Sequence, residues 1–219
     1  MNDIFDEAEK EIKHIKKIKL IKTGAYIFLF LSIVAVLTTG IYKWNENRFN
    51  KKVLLESDMF LAIVGEDKDQ LSEADILKLN EIAQRDDTNF SALSYLIIAK
   101  KNYDNENYEN FTSNMEKIIL NKSFDVVIRD FAVLDLSNYY LAKNLTEQAF
   151  EKINAVNLDS SPYRDLLKLN LALVLIKQNK TNESKAILSS IIAQEHVPSK
   201  IIEDSRAALY LIEKMEKNA

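Results

Sequence analysis

Twenty consecutive residues, Thr23 to Tyr42 (TGAYIFLFLSIVAVLTTGIY), carry no charge, and Lys22 and Lys43 close the run on either side. At 1.5 Å per residue such a run spans about 30 Å as a helix, the thickness of a bilayer's hydrocarbon core. A helix satisfies its own backbone hydrogen bonds, so β-branched and aromatic residues are no obstacle there. Tyr26 and Tyr42 lie near the two ends and Trp44 just beyond, where amphipathic rings favour the headgroup zone. The alternative, a buried core helix, is hard to reconcile with twenty uncharged residues between lysines. A removable signal peptide has a shorter apolar region and a small-x-small cleavage site. Here Tyr42-Lys43-Trp44-Asn45 follows instead, so the run reads as an uncleaved anchor.

The remainder is set by what the chain lacks. Beyond the run Gly65 is the only glycine, and Pro162 and Pro198 are the only prolines. Sheets need turn residues at short intervals, and phosphate-cradling loops need clustered glycines. The expectation is therefore an all-α protein: one N-terminal transmembrane helix, then a helical domain. There is no cysteine, which removes disulfides, thiolate nucleophiles and zinc knuckles. The two histidines, His14 and His196, are too far apart in the chain for a metal motif. No cofactor, no metal, no small-molecule substrate and no enzymatic activity are expected. Residues 43–219 hold 23 basic and 28 acidic side chains, a balance that does not favour nucleic acid.

Residues 1–22 form a basic leader with Ile at 12, 15, 18 and 21 between lysines, an amphipathic helix able to lie on an anionic lipid surface or to stand solvated beside it. Six lysines precede the run and four basic residues follow it closely, which favours an inside N-terminus. The organisation expected is 1–22 cytoplasmic leader, 23–42 transmembrane helix, 43–91 juxtamembrane helices, 92–197 repeats and 198–219 a C-terminal capping helix. Within 43–91 one helix is expected to stop at Gly65 and another to restart near Ser72.

From Ala92 the chain repeats an apolar helix, a short polar turn and a second helix, three times. The turns fall at Asp104-Asn105-Glu106, Lys143-Asn144 and Gln178-Asn179-Lys180. Ala99, Ser137 and Ala172 occupy one register, spaced 38 and 35; Phe111, Ala149 and Ser184 keep the same spacing in the second helices. Small residues there let paired helices approach closely. This period and hairpin pattern look like tetratricopeptide repeats, although Phe111 stands where alanine is usual and Glu106, Asn144 and Asn179 where the turn glycine is usual. The domain after the transmembrane helix is therefore expected to be a tetratricopeptide-like helical-repeat (α-solenoid) domain.

The order of leader, span and three-repeat domain resembles the YfgM-like family of membrane-anchored proteins. ALSYLIIAKKNYDNENYENF is similar to its "LLLAK…GDYEKA" stretch, and LNLALVLIKQNKTNESKAIL to its "LRLARVLLEQGKYDEAL" stretch. The resemblance implies a single-pass protein of the bacterial inner membrane with a periplasmic domain, an accessory of the Sec translocon or of periplasmic chaperones. It carries over no binding residue. The second reading is a structural scaffold subunit of another envelope complex, docked through its span and juxtamembrane helices.

In the repeat register, one face of the first helices holds Leu93, Leu96, Lys100 and Tyr103, then Phe131, Leu134, Asn138 and Leu141, then Leu166, Leu169, Leu173 and Ile176 with Lys177 beside them. Left open, that face would take a peptide or helix; covered by the helix at 45–64 or 72–84, it would be ordinary core. Lys100, Tyr103, Asn138 and Lys177 are the candidate partner-binding residues.

Overall fold

The computed structural model describes residues 38–65 and 71–217. The leader, residues 23–37 of the expected span and His14 lie outside the described residues. Among the described residues every regular element is helical, and no helix is long and apolar enough to cross a membrane. The chain divides into two compact units, 1–55 and 56–219. Helix α1 covers 38–64; its first part, 38–55, belongs to the first unit. There Ile41, Tyr42 and Trp44 are exposed, and the Arg48 guanidinium lies 4.9 Å from the Trp44 ring centroid.

In the second unit, residues 56–64 of α1 are followed by α2 (Glu73–Ala83), α3 (Asn89–Asp104), α4 (Tyr108–Leu120), α5 (Val126–Ala142), α6 (Thr146–Asn154), α7 (Arg164–Lys177), α8 (Thr181–Ile192) and α9 (Ser199–Lys217). Gly65 ends α1 as expected. Its N–H donates to the Leu61 carbonyl at 2.7 Å, and a Cβ at Gly65 would lie 2.6 Å from that same oxygen. Any larger residue there would push the closing turn apart. Helix α2 starts at a capping box: Ser72 Oγ accepts from Asp75 N–H at 3.2 Å, and Asp75 accepts from Ser72 N–H at 3.0 Å. Phe60 and Ile63 share a core with Leu79 and Ile82 of α2 and Tyr95 and Ile98 of α3. The stretch expected to be juxtamembrane is thus partly built into the repeat domain.

Each hairpin α3–α4, α5–α6 and α7–α8 closes the same way. Glu106, Asn144 and Asn179 have φ of 60°, 59° and 61°, the left-handed region. In each turn the following N–H reaches back to a carbonyl of the last helical turn: Asn107 to Asn102 and Leu145 to Tyr140 at 2.8 Å, and Lys180 to Leu175 at 2.9 Å. The residues that replace the usual glycines therefore keep the glycine conformation. Asn adopts it with little penalty because its short polar side chain tolerates it, whereas Glu has no such compensation. We expect Glu106→Gly to stabilise the domain by about 1 kcal/mol, read as a higher urea midpoint. An unchanged or lower midpoint would mean that the turn is not held in this conformation.

The small-residue registers sit where the hairpins close. Ala99, Ser137 and Ala172 are fully buried, as are Ala149 and Ser184, and Phe111 nearly so. Ser184 Oγ on α8 donates to the Ala172 carbonyl on α7 at 2.9 Å, so the two third-repeat registers meet directly. Ser137 also serves a second contact, accepting from Asn170 Nδ2 on α7 at 2.9 Å.

The first helices α3, α5, α7 and α9 form a row in which each approaches the next. The second helices stand farther apart; α4 and α6 are bridged through Lys152 Nζ and Glu116 at 2.6 Å rather than by backbone approach. The sequence pattern places the second repeat's first helix at Asp130 to Ala142, whereas helix α5 begins four residues earlier, at Val126. Asp125 caps it, its carboxylate accepting from Val127 N–H at 2.8 Å.

Candidate functional site

The face nominated from the register separates into two kinds of position. Leu134 and Leu169 are buried in the cores that α6 and α8 help to close, and Leu93, Leu96, Leu141, Leu173 and Ile176 are half-buried. Phe131 and Leu166, in equivalent register positions, are more than a third exposed, together with Lys100, Asn138 and Lys177. Among the helices α2 to α9, α2 closely approaches α3 alone, so it does not lie across α5 or α7. Residues 56–64 of α1 share a core with Leu93 and Leu96, whereas the exposure of Lys100, Phe131, Asn138, Leu166 and Lys177 leaves a strip along α3, α5 and α7, narrower and less apolar than the full face.

The four candidate residues have partners within the chain, and none of these contacts joins one of them to another. Lys100 Nζ pairs with Asp104 at 2.5 Å, one turn on. Asn138 Oδ1 accepts from Asn170 Nδ2 at 2.7 Å, which fastens α7 to α5 at the strip's edge. Lys177 Nζ donates to Asn144 Oδ1 at 2.5 Å, reaching from the end of α7 to the left-handed turn residue of the preceding hairpin. Tyr103 belongs to an aromatic cluster with Tyr108, Phe111 and Tyr139, its ring centroid 5.3 to 6.3 Å from theirs. Phe111 is thus accommodated in place of alanine because the tyrosines of α3, α4 and α5 close around it. Lys143 lies over the Tyr108 ring, 4.1 Å from its centroid.

Asp135, which the sequence reading passed over, faces the same strip. It is half-buried on α5, and burial pushes its carboxyl above the usual range while the nearby Lys100 ammonium pulls it back. Its spacing from Asn138 would have placed it on the open face, but one acid in a helix seldom stands out.

Among the described residues no group of His, Asp and Glu side chains is arranged to hold a metal ion. No family model matches the chain, and neither does any curated protein or solved structure.

Proposed function

We propose that this chain is a membrane-anchored protein-interaction module that holds a partner segment along the strip of α3, α5 and α7. The observation that carries the reading is the pairing of exposed Phe131 and Leu166 with a polar margin of Lys100, Asp135, Asn138 and Lys177 on one continuous row. Apolar anchors between polar groups suit a short peptide or helix better than a small molecule. The uncharged run 23–42 is the anchor, and the lysine bias sets its N-terminus inside, with the repeats on the outer side of the inner membrane. A cysteine introduced at Asn218, in a chain that has none, would report that side: labelling by a membrane-impermeant thiol reagent only after the membrane is broken would reverse the orientation.

The sequence resemblance makes the Sec translocon and periplasmic chaperones the first partners to try. The experiment is to change Lys100, Asn138 and Lys177 to Glu together and purify the translocon in mild detergent. Loss of co-purification with a folded domain is the expected result. Unchanged co-purification would move the docking element to the span and favour the scaffold reading.

A further inference from the structure

Ala207 continues the small-residue register, lying 35 residues after Ala172 as Ala172 lies 35 after Ser137. Helix α9 is in effect the first helix of a fourth repeat, joined to the row through Ile201, Ser205, Ala208 and Ile212, which are buried. Its other flank has no second helix among the described residues. The same offset relates Leu169, Ala172, Leu175 and Ile176 of α7 to Asp204, Ala207, Tyr210 and Leu211 of α9. On α7 three of those four are buried, at 7%, 0% and 3% exposure, in the hairpin that α8 closes. On α9, Tyr210 and Leu211 are 65% and 56% exposed, and Met215 one turn further is 50% exposed. Among the described residues this flank of α9 is left open, with apolar side chains on it.

We propose that this flank of α9 pairs antiparallel with the α9 of a second copy of the chain. The flank reads Asp204, Ala207, Leu211, Lys214, and these four positions are symmetric about residue 209. In an antiparallel pair related by a twofold axis at that point, Ala207 of each copy meets Leu211 of the other, and Asp204 of each meets Lys214 of the other. The charges are opposite at both ends, so the surface complements itself; Asp204, which Lys200 holds at 2.9 Å one turn back, would share its carboxylate between the two lysines. Sliding the pair by four residues, to place Ala207 opposite Ala207, would oppose Lys200 with Lys214 and lose that match. Ala207 admits the close approach that Ala172 admits under α8. The antiparallel sense is also the one that every hairpin of the domain already uses.

The test uses the full chain in its membrane. Ala207→Cys introduces a single thiol near the twofold axis, and a short bis-maleimide should link two chains through it. Ser189→Cys, exposed on α8, should remain unlinked. In the Ala207→Cys background, Leu211→Glu should abolish linking; Leu211 is largely exposed, so an unchanged thermal midpoint is expected alongside. Asp204→Lys alone and Lys214→Asp alone should each lower linking at least tenfold, and the two together should restore it to within about threefold, since opposed charges are exchanged rather than removed. Absence of linking in Ala207→Cys, or failure of the double exchange to restore it, would overturn the proposal. Persistent linking in the Leu211→Glu variant would overturn it as well.

Discussion

Removing Arg85 is expected to cost the domain about 3 kcal/mol of stability, out of proportion to a partly exposed side chain. The reason lies with its partner. Glu56 is fully buried, and its carboxylate accepts from the Thr88 hydroxyl and faces Arg85 Nη1 at 3.3 Å. Arg85 also touches the Met59 sulfur, at 3.8 Å. The Arg85→Ala change leaves Glu56 buried with the Thr88 hydroxyl but without the guanidinium, and a buried charge stripped of its partner is the costly outcome. The side chain of Arg85 is about a third exposed, so water entering its place holds the loss to the lower end of the usual range. Urea denaturation of a fragment comprising residues 45–219 measures it. Glu56→Gln should cost less, because it keeps the shape and the bond to Thr88 without the charge. Adding Glu56→Gln to Arg85→Ala should then recover part of the loss; a double variant no better than the single would show that the charge is not the cause.

Ala172→Leu is expected to destabilise the same fragment by about 1–3 kcal/mol through overpacking. Ala172 is fully buried at the closest approach of α7 and α8, where its carbonyl already receives the Ser184 hydroxyl. Three extra carbons there must either part the hairpin or break that bond. A urea midpoint equal to that of the parent would discard the register that links Ala99, Ser137 and Ala172. The same change at Ala207, 35 residues further on and exposed, should leave the isolated fold nearly as stable, since an exposed site has room for the larger side chain.

The helical class and the hairpin positions were legible because they depend on local chemistry. Scarce glycine and proline left few ways to turn a strand, and the apolar period lapses where the structure turns, at Glu106, Asn144 and Asn179. The start of α5 was misplaced because Val126, Val127 and Ile128 are β-branched and read against helix, while the cap that decides the matter, Asp125, looks like any other loop acid. The candidate site was legible only as a register. Sequence spacing places Leu134 and Phe131 on one face of a helix, but which of them a neighbouring helix covers is a tertiary property. Glu56 was invisible for the same reason: on a helix rich in charge, nothing local distinguishes the one carboxylate that the fold encloses.

Among α2 to α9, no helix closely approaches another more than two elements away along the chain. Such an array has no central knot that must break before anything else moves. Its backbone amides should therefore exchange with solvent in a graded sequence, outermost repeats first, rather than in one global opening. A segment lying along α3, α5 and α7 would act as a splint across three otherwise separable couplings. Occupancy could then be felt at α9 as a change in stiffness, with no lever or hinge between the strip and the end of the row.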